Sequence, residues 1–414
     1  MKFTATLCGL AALLSLAVAD APIKNSDISA DIVVPNKYIV TYRAGTDSAE
    51  RKAHEGIITK KAKQKNKKGV VDTISIGNYQ GYVVEIPKSE LQDITKSKLV
   101  QYVELDSIVN TTHVAADYGH LEKRAYTTQL NAPWGLARIS KKAADNTGSF
   151  GSGYYYDGTA GTGVRVYVID TGIRTTHTEF GGRAVWGANF ITGSPNTDEN
   201  GHGTHVSGTI AGKTFGVAKL ATVVAVKVLD KTGSGTMSGI IQGLNWAVAN
   251  AKSRGAANKS VVNMSVGGAY TASVNAAVKA ATAAGLTVVV AAGNNGDDAS
   301  LYSPSSAPSA ITVGAVDGTN FRTWFSNYGS LVDIFAPGTS ILSSYYLSDT
   351  ASRYLAGTSM ASPHVAGLAA YFIAKEGLSG STAVSNRIFS AAVAGVVVDP
   401  EGSSNRVAYN AGGQ

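Results

Sequence analysis

The sequence predicts an α/β protein: a doubly wound, mostly parallel sheet in its larger C-terminal part, preceded by a small α+β domain of ferredoxin-like plan. Three observations carry the prediction: a change of composition near residue 125, continuous apolar runs after it, and alternating strand and helix patterns before it. The chain has 414 residues, enough for two or three domains, and 44% hydrophobic against 16% charged residues excludes overall disorder.

Before residue 125, KYIVTYR from Lys37 reads as a strand and residues 48–62 as a charged helix. VVDTISI from Val70 and GYVVEIP from Gly81 form a strand pair around Gly77-Asn78. SELQDITKS from Ser89 reads as a helix and VQYVELD from Val100 as a last strand, which completes a βαββαβ order. After the break, VRVYVID from Val164, TVVAVKVLD from Thr222, SVVNMSVGG from Ser260, LTVVVAAGN from Leu286 and ITVGAV from Ile311 are apolar on both faces. Such strands belong to buried parallel sheets. Helical patterns at 202–212, 236–252, 273–284 and 359–375 lie between or after them, and chemistry is expected at the carboxyl ends of the strands.

Residues 1–19 have the form of a secretory signal peptide: Lys2, an apolar run from Leu7 to Val18, and a small-residue end at Ala17-Val18-Ala19. The run is too short for a membrane anchor, and no later segment is apolar and long enough to span. Cys8 is the only cysteine, so disulfides, thiolate nucleophiles and Cys-ligated zinc are excluded downstream of the leader. The net charge of +7 divides evenly, +3 up to residue 124 and +4 beyond, and the run Lys60–Lys68 lacks interleaved aromatics. It reads as a solvated helix end or loop, and no nucleic-acid partner is expected. Lys123-Arg124, between a compact unit and the compositional break, reads as a processing site with maturation at Ala125 or autocleavage a few residues upstream. The expected domains are thus 1–19, 20–124 and 125–414.

Three residues suggest nucleophilic catalysis. Asp170 ends the strand VRVYVID; alone it is as readily a helix N-cap or turn former. His202 lies in NGHGTHVSGTIAG, where Gly201 and Gly203 permit close backbone approach at a helix start; read alone, His202 or His205 is equally a structural histidine. Ser359 lies in AGTSMASPHVAGLAAY, among Gly357, Thr358 and Ala361, with Pro363 tolerable in or near the first helical turn. A serine hydroxyl needs a base to take its proton, and the base needs a carboxylate to hold its tautomer. Asp170, His202 and Ser359 supply those roles in that chain order.

VIDTGI, NGHGTHVSGT, AAGN and GTSMASPHVAG resemble the subtilisin-like serine proteases. YSPSSAPSAITVGAVD from Tyr302 and FSNYGSLVDIFAPGTSILS from Phe325 are similar to the fungal proteinase K group, and the cysteine-free mature part resembles the cuticle-degrading proteases of nematode-trapping fungi. The resemblance covers 125–414 and implies that the βαββαβ segment is the family's inhibitory propeptide. It implies that Asn294 donates to the oxyanion together with the Ser359 amide. It also implies that Ser265-Val266-Gly267 and Ala291-Ala292-Gly293 wall the P1 pocket, and that Gly233-Ser234-Gly235 is an edge strand for extended substrate. A structural Ca²⁺ ion held by Asp333 and the carbonyls of Pro308 and Ala310 is implied too.

A Gly/Ala pocket without charge implies broad cleavage favouring apolar or aromatic P1. Sequons occur at Asn110, Asn258 and Asn263; Asn263 falls inside a buried strand pattern, which leaves Asn110 and Asn258 as acceptors. The expected protein is a secreted monomeric endopeptidase made as a preproprotein, with proteins and peptides as substrates, its own propeptide as inhibitor, and no membrane partner. A vacuolar protease of the same family is the nearest alternative. A protease-like binding protein would lack a catalytic residue, and all four are present.

Overall fold

The computed structural model describes residues 19–111, 113–115, 128–143 and 149–412. Apart from Ala19, the expected leader with Cys8 lies outside the described residues, as does Lys123-Arg124.

The N-terminal unit follows the βαββαβ reading. It comprises β1 (Val33–Tyr42), α1 (Ser48–Gln64), β2 (Gly69–Ile76), β3 (Tyr79–Glu85), α2 (Leu91–Thr95) and β4 (Val100–Thr111). Asp47 starts α1 by accepting the Ala49 and Glu50 amides, and the lysine run forms the solvated end of that helix and the turn after it. The sheet runs β4-β1-β3-β2. Period-2 alternation divides its faces: Val40, Tyr82 and Val84 pack under Ile58, Ala62 and Ile94 of the unit's own helices. Ile39, Ile74, Ile76 and Val83 point the other way, into a cluster that includes Met237, Ile241, Leu244 and Val274 of the C-terminal unit. Both faces of this small sheet are therefore covered, one of them by the larger unit.

The short strand β5 (Val114–Ala115) follows, and in the C-terminal unit the chain forms β6 (Arg165–Asp170), β7 (Ala184–Asn189), α3 (His202–Ala211), β8 (Thr222–Lys227), β9 (Ser234–Thr236) and α4 (Met237–Ser253). It continues through β10 (Ser260–Met264), β11 (Val266–Ala269), α5 (Ala272–Ala283), β12 (Thr287–Ala291) and β13 (Ile311–Val316). The last elements named here are β14 (Ile334–Pro337), β15 (Ser352–Ala356), α6 (Thr358–Glu376) and β16 (Arg406–Val407). The main sheet runs β7-β8-β6-β10-β12-β13-β14-β16 with the short strand Val393–Ala394 at its edge, and it is parallel except for that last pair. Helices α4 and α5 bury one face with the apolar side chains of β6, β8, β10 and β12. Helices α3 and α6 lie in the core on the other.

Three details depart from the expectations. SVVNMSVGG is two strands, because the chain breaks at Ser265 and re-forms as β11 outside the main sheet. The edge strand β7 and the strands β14 and β16 carry no continuous apolar run of useful length. Pro363 lies in the second turn of α6, where it removes the donor that the Ser359 carbonyl would have received. The Ser265 hydroxyl, 2.9 Å away, donates to that carbonyl instead. The break at Ser265 and the proline thus compensate each other.

Candidate active site

Parallel pairing puts Asp170 at the carboxyl end of β6, in the interior of the sheet between β8 and β10. Helix α3 begins at His202, and its N-cap Gly201 has φ +102°, a conformation that favours glycine. At Gly203 a Cβ would lie 2.1 Å from the Gly172 carbonyl, so only glycine lets the helix start touch the turn after Asp170. The His202 Nδ1 stands 2.8 and 3.0 Å from the two Asp170 carboxylate oxygens, and both side chains are buried. The Nδ1 proton is therefore on the carboxylate side, and Nε2 is the basic nitrogen. That Nε2 is buried and has no hydrogen-bond partner among the described residues.

His205 is the structural histidine. Its Nε2 donates to the Ile341 and Arg353 carbonyls at 2.9 and 3.0 Å, and burial pushes its pKa down to about 3. Asp198, which no sequence motif above singles out, ties the Asp170–His202 pair together. One of its oxygens accepts from the Thr171 hydroxyl and the Asn200 and Gly201 amides at 2.8–3.0 Å. The other accepts from the Thr204 amide and hydroxyl, while Thr171 Oγ1 itself accepts the Gly203 amide at 2.9 Å. The residues that follow Asp170 and His202 are thereby held to one buried carboxylate. Lys227, fully buried, donates to the Thr171 carbonyl at 2.6 Å.

Ser359 occupies the first turn of α6, which packs against α3. Its hydroxyl donates to the Ser265 carbonyl at 3.0 Å. Asn294 sits in the loop after β12. Its Oδ1 accepts both the amide and the hydroxyl of Thr358 at 2.9 Å, which fixes the amide plane beside the nucleophile. Its Nδ2 is buried without a partner among the described residues. An unspent donor next to the first-turn amides of a helix is what a developing oxyanion requires.

A cavity beside these groups is lined by Gly267, Gly268, Ala291, Ala292, Gly293 and Asn294, with Tyr302 and Ser305 further along. Gly267 and Ala291–Gly293 line this cavity, whereas Ser265 and Val266 are buried and do not line it. Strand β4 of the N-terminal unit covers it. Asn110, Val109 and Ile108 pair antiparallel with Ser234, Gly235 and Thr236 of β9, and Thr111 and Asn110 with Val266 and Gly267 of β11. Gly233 adds its carbonyl to the Thr111 amide at 3.0 Å. Two buried carboxylates anchor this strand: Glu104 accepts the Ala272 and Ser273 amides at 2.8 and 2.7 Å, and Asp106 accepts the Ser238 amide and hydroxyl at 3.0 and 2.7 Å. Each lies at a helix N-terminus, where unpaired amides and the helix dipole favour negative charge.

Pro308, Ala310 and Asp333 line a second cavity. Burial pushes the Asp333 carboxyl up to about 6, with only the Thr312 amide at 2.9 Å and the charge of Arg406 to offset it. A half-buried carboxylate beside a carbonyl-bearing loop is a donor set that fits a hard cation.

A buried Asp–His pair, a serine at a helix start and a pre-aimed amide define a serine hydrolase that acts by acyl transfer. In such an arrangement the imidazole can take the serine proton as the hydroxyl attacks a carbonyl and return it to the leaving amine, while the carboxylate stabilises the imidazolium. The chain belongs to the subtilase family: the family model so described matches residues 161–409, and the peptidase inhibitor I9 model matches residues 37–112. It is 46% identical to "Subtilisin-like protease 2" of Pseudogymnoascus destructans, over 100% of both chains. It is 43% identical to "Cuticle-degrading serine protease" of Arthrobotrys oligospora, over 98% of both. A crystal structure of a cold adapted subtilisin-like serine proteinase superposes with a TM-score of 0.63 at 41% identity, covering 68% of this chain and 98% of that one. The protein is a subtilisin-like serine protease of the fungal proteinase K type, with an inhibitor domain as its N-terminal unit.

Asn294→Ala should lower kcat by roughly 10²- to 10³-fold with little change in KM, the range known for the equivalent donor in subtilisin itself. Steady-state kinetics on a chromogenic peptide check this. Glu104→Ala removes two charge-assisted hydrogen bonds worth about 2 kcal/mol or more between them. It should weaken the hold of the cut inhibitor domain by about tenfold to a hundredfold, read from the inhibition that remains when the processed complex is diluted.

Proposed function

We propose that the protein is a secreted endopeptidase of broad specificity, favouring apolar or aromatic P1 residues and made as a preproprotein. The observation that carries this is the cleft itself, in which an extended strand of the chain's own inhibitor domain lies between two edge strands. Pairing of that kind reads backbone rather than sequence. The P1 cavity, lined by glycine and alanine with no carboxylate, supplies apolar surface and no partner for Lys or Arg. Gly233, Ser234 and Gly235 bind the non-primed side, Gly267 and Ala291–Gly293 receive P1, and Ser265 contributes its carbonyl.

Secretion rests on the leader pattern of residues 1–19; in addition, no helix among the described residues is long and apolar enough to cross a membrane. Processing at Lys123-Arg124 gives the peptidase 125–414, which acts as a monomer on proteins and peptides. The likeness to a relative named for degrading cuticle supports structural protein as the natural substrate class. Of the sequons, Asn258 is exposed on the short helical turn Ala257–Lys259 and is an acceptor. Asn110 is exposed as well, but its Oδ1 takes the Ser234 hydroxyl at 2.7 Å, so a glycan there would sit on the strand that fills the cleft.

Asp333 with the carbonyls of Pro308 and Ala310 would hold a Ca²⁺ ion, which would neutralise the half-buried carboxylate and tie the 308–310 loop to the segment leading into β14. The ion's contribution would be to stability, not to chemistry.

On peptide p-nitroanilides differing only at P1, kcat/KM should rank Phe and Leu at least tenfold above Lys and Asp; a preference for Lys or Arg would overturn the pocket assignment. EDTA should lower the melting temperature of the wild type, and Asp333→Asn should abolish both the calcium gain and the EDTA effect. Differential scanning fluorimetry with and without Ca²⁺ decides this.

A further inference from the structure

Behind the Asp170–His202 pair lies a buried ammonium group for which the acyl-transfer chemistry gives no role. Lys227 ends β8 and pairs in register with Asp170, the last residue of β6. Alternation with Val223 and Ala225 turns its side chain to the face of the sheet that carries α3. The side chain has no exposed area; its Nζ donates to the Thr171 carbonyl at 2.6 Å and stands 3.7 Å from a carboxylate oxygen of Glu199. Burial lowers the Lys227 pKa, and the charges of Asp198, Glu199 and Asp170 oppose that. Asp230, in the turn after β8, is a fourth carboxylate that feels the Lys227 charge, while β7 sets the uncharged Asn189 opposite it. From α3 comes His202, bonded to Asp170 at 2.8 Å.

A carboxylate beside an imidazole favours its protonated form, and each further carboxylate favours it more. A base backed by Asp170, Asp198 and Glu199 with no cation among them would hold its proton when the reaction needs it free. Lys227 is the cation among them. We infer that Lys227 is a positioning residue for the reaction: its charge offsets the carboxylates behind His202 and keeps the imidazole free to take the Ser359 proton in the neutral and mildly acidic range. This rests on the peptidase reading above, with His202 as the base. The charge acts through Asp170 and the turn that follows it, and the bond to the Thr171 carbonyl fixes its place one residue beyond Asp170. Because the group is buried, its field is screened less than that of a surface lysine.

The test is the pH dependence of kcat/KM for the secreted, active enzyme on a blocked peptide p-nitroanilide that has no titrating group of its own. Lys227→Met removes the positive charge and should move the midpoint of the acid limb upward by about half a pH unit or more. Lys227→Arg keeps the charge and should leave the midpoint in place even where kcat falls. Glu199→Gln removes one carboxylate from the partly exposed side of the same cluster and should move the midpoint downward. A residue that only supports the fold would lower kcat/KM by one factor at every pH, so an unmoved midpoint in Lys227→Met overturns the inference. Should Lys227→Met fail to fold, as its melting curve would show, an unmoved midpoint in Glu199→Gln overturns it instead. If wild type neither hydrolyses the peptide nor takes an active-site phosphonate, the peptidase reading itself falls.

Discussion

The buried carboxylate of Asp198 is the constraint on which the catalytic geometry depends. Asp170 ends a strand and His202 begins a helix, and nothing in the sheet by itself fixes one against the other. Five hydrogen bonds to Asp198 do so, because they bind the turn after Asp170, the loop before His202 and the first turn of α3 to one point. In a site from which water is excluded, each such bond is electrostatically stronger than at the surface, and each unmade one would be costly. Buried Lys227, donating to the Thr171 carbonyl, supports the same turn from the neighbouring strand. The 2.8 Å contact between His202 and Asp170 is thus the outcome of packing several residues away.

What could be read from the sequence was whatever leaves a periodic or compositional trace. Strands buried on both faces write themselves as unbroken apolar runs, and the N-terminal unit's alternation is equally plain. The loops carrying Asp170, His202, Asn294 and Ser359 stood out because glycine and small residues cluster where backbone must approach closely. Strand β7 left no such trace. It is an edge strand, half exposed, and its register shifts between Trp186 and Ala188. The break at Ser265 was hidden inside an apolar run, since it serves a hydrogen bond to a helix almost a hundred residues on rather than any local pattern. Asp198 looks like a turn former in sequence and is one; its second task exists only once β6 and α3 meet.

The N-terminal unit shows how an inhibitor can be made from ordinary folding rules. Its sheet needs a cover on its second face, and α4 and α5 of the peptidase provide it. The amide groups at the starts of those helices need acceptors, and Glu104 and Asp106 provide them. The same strand that carries the two carboxylates goes on to pair with β9 and β11, so docking and occupancy of the cleft are one event. A single strand belongs at once to the inhibitor's sheet and to the substrate track.

Helix α6 is buried along nearly its whole length, from Thr358 to Ile373, with Ala and Gly where its neighbours come closest. A proteolytic enzyme is a concentrated substrate for itself, and what another copy can attack is backbone that has become accessible. Segments open with free energies that range from near zero at frayed ends to the global value in the core. With the helix that carries Ser359 enclosed between the sheet and its surroundings, the proposed nucleophile is exposed as a cleavable segment only when the whole domain unfolds. Loss of the active site by self-digestion therefore follows global unfolding, while nicks in peripheral loops can accumulate without touching it. Survival in a mixture of its own kind is built into the element that carries the chemistry.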